Sequence, residues 1–325
     1  ELHAHLNGSL SPSSLRKLGC LEEDIAKYQK LTKLLHTTEK TLNECFELFR
    51  VAQDATNNKQ SVYFATQSVI EDFYNDNVIY LELRTTPRQE RDMTKADYIE
   101  SVVEAIQDCT QNIIVKLLLS IDRRLELNSV EETMKLFIKM KNKYPNIIKG
   151  VDFSGNPNLG CFNKNLFKQA VDNGFFVTLH CGEVKHDSEV VEILNFKPHR
   201  IGHGIFLHPS FGGSDEIWSL YCQTKIPLEC CLTSNVLCGT RKSYKKHHLQ
   251  EWINSSLPFT LCTDDKGIFC TSLSRELLLA ATHLNLNSRD LWQISFNSID
   301  YTFASDEEKN FLQGILMDWK LKNHI

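Results

Sequence analysis

Two histidines near the start of the chain, His3 and His5, are separated by a single residue. Successive side chains of a β-strand point to opposite faces, so the two imidazoles of an H-x-H pair in a strand face the same way. Two converging neutral imidazoles suit a borderline metal such as zinc. The pair could instead line a polar pocket, and the residues further along the chain decide between these interpretations.

Other polar residues with metal-binding or proton-transfer chemistry follow predicted strands. A single histidine at a strand end is commonly a hydrogen-bonded core residue, and an Asp-Asp pair before a helix commonly caps that helix. Several such residues at the ends of different strands are harder to explain by structural roles alone, because burying many titratable groups is costly unless they pair or bind a metal. The set comprises Asp152, Gly155, His180, Glu183, His203, Asp264 and Asp265.

The chemistry that these residues favour is metal-assisted hydrolysis. Three imidazoles and a carboxylate would hold one zinc ion and leave a position for water, whose pKa zinc lowers to about 7. Glu183 is then free to donate a proton, and His203 could orient or deprotonate the water. Asp265 could accept a hydrogen bond from a substrate nitrogen. The four candidate zinc ligands are His3, His5, His180 and Asp264.

Eight β-rich runs alternate with amphipathic segments along the chain. Strands with near-continuous apolar sequence, each followed by a helix, indicate a parallel sheet covered by helices. Eight such units predict an α/β fold of the (β/α)8 TIM-barrel type, with the chemistry at the carboxyl ends of the strands. The predicted strands cover 1–5, 78–85, 113–121, 147–153, 175–180, 200–203, 226–232 and 258–263.

The sequence contains no Pro/Gly/Ser-rich linker, which favours a single domain over residues 1–325. Residues 10–60 exceed one strand-to-strand crossover, so we expect extra helices there that lie over the carboxyl-terminal mouth of the barrel. The segment 288–325 is expected to form two or three closing helices.

Composition restricts the class of partner and the compartment. With a formal net charge of −5, nothing draws the whole molecule onto nucleic acid or an anionic membrane. The eleven cysteines have irregular spacings and no C-x-x-C pattern, which is typical of reduced thiols. No apolar stretch approaches the roughly 20 residues of a membrane span. We therefore expect a cytoplasmic monomer that binds a small molecule, with no nucleic-acid or membrane partner.

Six motifs in order along the chain resemble the adenosine deaminase family of zinc amidohydrolases. The resemblance implies that Glu183 protonates purine N1, that His203 positions the attacking water, and that Asp265 contacts N7. It also implies that the Gly155 backbone donates to N3, and it assigns zinc to the four ligands named above. The motifs are HAHLNG at 3–8, VDFSGNP at 151–157, HCGE at 180–183, HRIGHG at 199–204, CLTSN at 231–235 and TDD at 263–265.

The apolar helix that closes over the base in this family resembles the segment 41–50, where Leu42 and Phe46 would contact the purine. Periodicity alone is equally compatible with an ordinary helix whose apolar side chains pack in the core. The contact with the base is therefore an expectation from the resemblance.

Two departures from adenosine deaminases bear on the substrate. Asn7 stands where those enzymes have an aspartate that meets the sugar, and Lys266 stands where they commonly have proline. Removing a negative charge and adding a positive one both favour a phosphate at the 5′ end of the pocket. The alternative is that Lys266 is an ordinary solvated lysine and Asn7 a neutral replacement. Other candidate phosphate contacts are Ser9, Thr85, Thr86, Arg123 and Arg124.

These departures resemble the adenosine deaminase-like branch of the family. That branch implies a purine nucleotide substrate, N6-methyl-AMP, which water converts to IMP and methylamine. Two alternatives stay open: a nucleoside deaminase that converts adenosine to inosine and ammonia, and an inactive barrel that serves as a binding protein.

Overall fold

The computed structural model describes residues 1–35 and 42–324, without the side chains of 34–48. Within this part of the chain, eight strands pair in parallel in sequence order. A parallel bridge between Ala4 and Asp264 joins the first strand to the segment after the eighth and closes the barrel. The strands are β1 (Ala4–His5), β2 (Tyr80–Thr85), β3 (Ile114–Asp122), β4 (Ile148–Ser154), β5 (Phe176–Cys181), β6 (Arg200–His203), β7 (Leu228–Cys230) and β8 (Phe259–Leu261).

Helices surround the barrel and occupy most connections between consecutive strands. Those in the described residues are α1 (Pro12–Lys17), α2 (Glu22–Leu35), α3 (Leu42–Ala55), α4 (Lys59–Tyr74), α5 (Lys95–Gln107), α6 (Leu127–Lys143), α7 (Lys164–Asp172), α8 (Asp187–Phe196), α9 (Asp215–Thr224), α10 (Leu232–Leu237), α11 (Leu249–Asn254), α12 (Leu273–Leu284), α13 (Ser288–Ser298) and α14 (Asp306–Asn323).

The predicted α/β barrel class is confirmed, and each of the eight predicted strand runs overlaps one strand, although β3, β4 and β5 extend one residue beyond the predicted end. The largest difference is at the seventh, where β7 covers three residues because α10 already begins at Leu232. Three helices, α1 to α3, lie within residues 10–60, and α13 and α14 follow residue 288. That the first group forms a lid over the mouth stays a prediction.

Local sequence explains the helix that follows β2. Thr94 and Asp97 form a capping box in which each side chain accepts a hydrogen bond from the other residue's backbone N–H, at 3.1 and 3.0 Å. Tyr98, Val102 and Ile106 of α5 then recur at helical spacing and are buried against the barrel. The capping box and the buried stripe together fix Tyr98 beside the strand ends.

A network of charged side chains fills the barrel interior beneath its mouth. Arg84, Asp152, Arg200, Glu229 and Glu82 are all fully buried. Arg84 donates to Asp152 Oδ1 and Glu229 Oε2, both at 2.9 Å, and Arg200 donates to Glu229 Oε1 at 2.6 Å and to Glu82. Burial would raise the pKa of Glu229, but Arg84 and Arg200 outweigh it and hold that pKa well below its ordinary value. The network is paired throughout, as buried charges must be.

None of the helices in the described residues has the length and apolar character needed to cross a membrane.

Candidate active site

The four predicted metal ligands meet at the carboxyl-terminal mouth of the barrel. His3 and His5 flank Ala4 in and before β1, His180 lies in β5, and Asp264 follows β8. One potential ligand atom from each residue lies within 4.8 Å of those of the others. His5 Nε2 is 3.4 Å from His180 Nε2 and 3.5 Å from Asp264 Oδ1. The alternation of side chains along a strand thus places both imidazoles of the H-x-H pair at one point.

Contacts behind the ligands orient them toward that point. His3 Nδ1 is 2.7 Å from Glu229 Oε2, and His180 Nδ1 is 3.2 Å from Asp152 Oδ1. Asp264 Oδ2 accepts a hydrogen bond of 2.7 Å from the Ser234 hydroxyl. Carboxylates on the far nitrogen of an imidazole are the usual support of a metal-binding histidine, because they fix the tautomer and the ring orientation.

The cluster fits a metal ion such as zinc. His3 Nε2 is buried and has no hydrogen-bond partner, although a buried polar atom normally has one. A cation at the centre of the cluster would satisfy it. Three imidazoles and a carboxylate match the nitrogen and oxygen donors that zinc takes at about 2.0–2.2 Å.

Glu183 and His203 stand beside the cluster. His203 Nε2 lies 4.0 Å from Glu183 Oε1 and 4.0 Å from Asp264 Oδ2. Burial raises the pKa of Glu183 to about 8, and the Asp264 carboxylate raises it further in the same direction. The Glu183 carboxyl is therefore largely protonated at neutral pH. Burial also lowers the pKa of His203 well below its ordinary value, so its imidazole is neutral.

A cavity of about 540 Å³ opens onto these groups. Its volume is in the range of small-molecule sites. The predicted residues that line it are His5, Asn7, Thr85, Thr86, Arg124, Gly155, His180, Glu183, His203, Asp264 and Asp265, and Phe49 of α3 lines it as well. The structure therefore brings together most of the predicted constellation in one concave site.

Asp265 and Gly155 reach the cavity because of local backbone features. A Cβ on Gly8 would lie 1.7 Å from Asp265 Oδ1, so only glycine at position 8 allows the Asp265 carboxylate to take its place. Gly155 has φ +103°, a conformation that disfavours L side chains, and a Cβ there would lie 2.7 Å from Asp122 Oδ1. Steric constraints thus explain why glycine occupies position 8 in the HLNG motif and position 155 in the FSG motif.

Lys266, a predicted substrate contact, is not among the described residues that line the cavity. Its ammonium donates to the Asp72 carbonyl of α4 at 2.6 Å and lies 4.6 Å from the centre of the Phe73 ring. The backbone turns between Asp265 and Lys266, so consecutive side chains leave in different directions. Ser9 and Arg123 are likewise absent from the cavity lining, and Arg123 pairs with Glu189 at 2.7 Å. The side chains of Leu42 and Phe46 lie outside the described residues.

Sequence analysis did not identify Arg88, which lines the cavity in the loop after β2. Its Nη2 donates to the Gln53 carbonyl at 2.9 Å and to Thr56 Oγ1 at 2.7 Å, so it holds the end of α3. Its Nη1 is buried without a hydrogen-bond partner. The sequence feature that could have indicated Arg88 is its position three residues after Thr85, in a βα-loop at the catalytic face of the barrel.

Asn7 and Thr85 lie close to this arginine. Thr56 Oγ1, which accepts from Arg88, is 3.5 Å from Asn7 Oδ1. The Thr85 hydroxyl is 2.7 Å from the Tyr98 hydroxyl, and the Arg88 guanidinium lies 5.4 Å from the centre of the Tyr98 ring. One side of the cavity therefore presents the Asn7 amide and the Arg88 guanidinium, whose Nε pairs with Glu90 Oε1 at 2.9 Å.

An eight-stranded barrel with this cluster at its mouth defines a metal-dependent hydrolase of the amidohydrolase type. The family model described as "Adenosine deaminase" matches residues 1–319. The chain belongs to the adenosine deaminase family, a family of hydrolytic purine deaminases, and the membership predicted from its motifs is confirmed.

Two relatives and one solved structure match this chain over most of its length. The N6-methyl-AMP deaminase of Danio rerio is 40% identical over 322 residues, covering 96% of this chain and 92% of that protein. The N6-methyl-AMP deaminase of Homo sapiens is 39% identical over 321 residues, covering 96% and 90%. A crystal structure of Arabidopsis ADAL complexed with IMP superposes with a TM-score of 0.86 at 37% identity, covering 100% of this chain and 97% of that chain.

Proposed function

We propose that this protein is a zinc-dependent deaminase that converts N6-methyl-AMP and water to IMP and methylamine. One observation carries the proposal: the three-histidine, one-aspartate cluster lies at a cavity that is also lined by the Glu183 carboxyl and the His203 imidazole. The names of the two relatives described above support an N6-methylated nucleotide as the substrate, and the IMP in the Arabidopsis structure supports a purine nucleotide.

One zinc ion per chain is the cofactor that we infer. His3, His5, His180 and Asp264 would hold it, supported by Glu229, Asp152 and Ser234 from behind. When bound, zinc supplies a water whose pKa is lowered to near 7.

The protein's own residues would perform the proton transfers. Glu183, protonated at neutral pH, donates a proton to purine N1, which makes C6 electrophilic toward water. His203 orients the attacking water from its place beside Glu183 and Asp264. As the C6–O bond forms, the water would give up one proton, which restores the acid form of Glu183. The C6–N6 bond then breaks, and methylamine leaves with the second proton, which the new hydroxyl gives up.

Base recognition would use other residues that line the cavity, Gly155 and Asp265. The Gly155 N–H donates to N3, and Asp265 contacts N7, a position that the glycine at 8 makes available. Leu42 and Phe46 of α3 stay predicted contacts of the base.

The 5′ phosphate would lie beside Asn7, Thr85 and Arg88. A carboxylate at position 7 would repel a phosphate, whereas the Asn7 amide and the unpaired Nη1 of Arg88 offer hydrogen-bond donors. This assignment replaces Lys266, whose ammonium is held by α4.

The phosphate assignment is tested by kinetics on N6-methyl-AMP and its nucleoside, N6-methyladenosine. Arg88→Met should lower kcat/KM for the nucleotide by about 10- to 100-fold, because a charge-assisted hydrogen bond is worth about 1.5–3 kcal/mol. Nucleoside turnover should stay nearly unchanged. Arg88→Lys keeps the charge and should lose less.

Lys266→Met is the matched control, because it removes a neighbouring cation that does not face the cavity. Its ratio of nucleotide to nucleoside activity should equal that of the unmodified protein. Equal losses on both substrates in Arg88→Met, or a selective loss in Lys266→Met, would contradict the assignment.

A further inference from the structure

The backbone at His203 is in a conformation that non-glycine residues rarely adopt. Its φ is +65°, and the Gly204 N–H donates to the Gly202 carbonyl at 2.9 Å, across His203, and also to the Cys181 carbonyl of β5 at 3.0 Å. A hydrogen bond from residue i+2 to residue i with a positive φ at the centre is the strained form of the γ-turn. Such conformations persist only where their surroundings hold them.

This turn directs the His203 carbonyl away from the sheet. Pairing between β6 and β7 ends at Gly202 and Glu229, so the next carbonyl has no place in that ladder. It accepts instead a hydrogen bond of 2.7 Å from Nε2 of His248, which directly precedes α11. His248 is 45 residues further along the chain and fully buried.

The ring proton of His248 is the one donated to the His203 carbonyl. Burial lowers the pKa of His248 to about 3, so the imidazole is neutral and carries one ring proton. A carbonyl oxygen can only accept, which places that proton on Nε2. Among the described residues the buried His248 Nδ1 has no hydrogen-bond partner, so the bond to His203 is the one hydrogen bond that this side chain makes there.

The His203 imidazole is held from its other end. The side-chain nitrogen of Asn235 in α10 lies 3.1 Å from His203 Nδ1, and Nε2 then faces Glu183 and Asp264. The contact with Asn235 thereby fixes the orientation of the His203 ring, whereas the turn sets the position of the His203 Cα. A turn that relaxed toward ordinary φ would carry the imidazole away from both carboxyl groups.

We propose that His248 is a positioning residue for the deamination: its Nε2–H holds the His203 carbonyl and so maintains the strained turn that aims His203 at the reacting water. The inference rests on the proposed function for its kinetic consequence and on the geometry at His203 for its structural one. His248 itself is not among the described residues that line the cavity.

The direct test compares His248→Met with His248→Gln, which are similar in length and differ in the hydrogen-bond donor. The Gln amide nitrogen takes the place of Nε2, so we expect it to keep the bond and most of the activity. In His248→Met, kcat on N6-methyl-AMP should fall about 100-fold, the usual effect of displacing a catalytic group by about 1 Å. KM should stay within about twofold, because substrate contacts are unaltered.

His247→Met is the matched control. His247 is also fully buried, and its ring lies 4.3 Å from that of His248, but it accepts a hydrogen bond only from the Leu249 N–H. It should lose thermal stability comparably and retain kcat and zinc content. Equal kcat losses at 247 and 248, or a Gln variant as inactive as the Met variant, would overturn the proposal.

Two further measurements keep the test decisive. Should the Met variant not fold, His248→Asn removes the bond differently, since its amide nitrogen replaces Nδ1 and does not reach the carbonyl. Crystal structures give a readout that needs no activity: we expect a changed φ at His203 in the variants without the donor. An unchanged turn there overturns the inference, whereas lack of turnover by the unmodified protein refutes the proposed function alone.

Discussion

At the scale of single residues, the protonation state of Glu183 connects the structure to the reaction. A carboxyl group with an ordinary pKa is ionised at neutral pH and cannot donate a proton to a purine nitrogen. Burial and the neighbouring Asp264 raise the pKa of Glu183 to about 8, which keeps the acid form available. Sequence alone could indicate Glu183 as the donor, but not the burial that makes it one.

Glu183→Gln should abolish proton donation while keeping the shape of the side chain. We expect kcat on N6-methyl-AMP to fall by about 10²- to 10⁴-fold, the usual contribution of a general acid. Zinc content, measured by atomic emission, should stay at that of the unmodified protein because Glu183 is outside the ligand set. A variant with more than a tenth of the original kcat would exclude Glu183 as the acid.

The ligands and the phosphate contacts differ in how well sequence predicts them. His3, His5, His180 and Asp264 meet as predicted in position, because each lies at a strand end and a barrel gathers its strand ends. Lys266, a predicted substrate contact, does not line the cavity, because the direction of a loop side chain depends on what packs beside it, here Asp72 and Phe73 of α4. Arg88 lies in the cavity for the same kind of reason.

At the scale of elements, the short first strand and the loop after it position several groups at once. His3 directly precedes β1, His5 is its last residue, and Gly8 follows three residues later. The Gly8 carbonyl accepts hydrogen bonds from the Gly267 and Ile268 N–H groups at 2.9 and 3.0 Å, which joins this loop to the loop after β8. The two loops therefore act as one unit.

Gly8→Ala should separate these loops, because the new Cβ would overlap Asp265 Oδ1. We expect a loss of about 1–3 kcal/mol in the free energy of unfolding from overpacking, together with a loss of deaminase activity as Asp265 moves. Denaturant unfolding and steady-state kinetics measure the two effects.

Gly314→Ala in α14 is the control, since nothing lies within 4 Å of a Cβ there. A helix interior favours alanine over glycine by up to about 1 kcal/mol, so this variant should be as stable as the unmodified protein or more so. Unaltered stability and activity in Gly8→Ala would refute the steric account of the HLNG motif.

The elements themselves were largely predictable, because apolar runs and helical periodicity are local properties of the sequence. All eight strand runs were located from such patterns, whereas their ends were less certain, as β7 illustrates. The γ-turn at His203 was not predictable, because its cause is a hydrogen bond from His248, 45 residues away.

At the scale of the whole molecule, buried charges tie the barrel together. Glu229 of β7 accepts from Arg84 of β2 and Arg200 of β6, and it also contacts His3 before β1. Its carboxylate thus links strands from opposite parts of the chain and supports a metal ligand. Sequence patterns do not reveal such a network, since its members are up to 147 residues apart, from position 82 to position 229.

Glu229→Gln should leave two arginines without their shared counter-charge. Removing one partner of a buried ion pair destabilises a protein by about 3–5 kcal/mol, so we expect a clearly lower melting temperature and weaker zinc retention. Asp172→Asn removes the acid of the exposed Lys168–Asp172 pair and serves as the control, with no measurable change expected. Equal melting temperatures for the two variants would contradict the role of the network.

The central claim is that this barrel deaminates an N6-methylated nucleotide. The most direct measurement is a comparison of kcat/KM for N6-methyl-AMP and adenosine with the zinc-loaded protein, with IMP and methylamine identified as products by chromatography. We expect a preference for the nucleotide of at least about 100-fold, since a site built to bind a charged group discriminates strongly against a substrate that lacks it. A preference for adenosine, or failure of the zinc-loaded protein to release methylamine, would contradict the account.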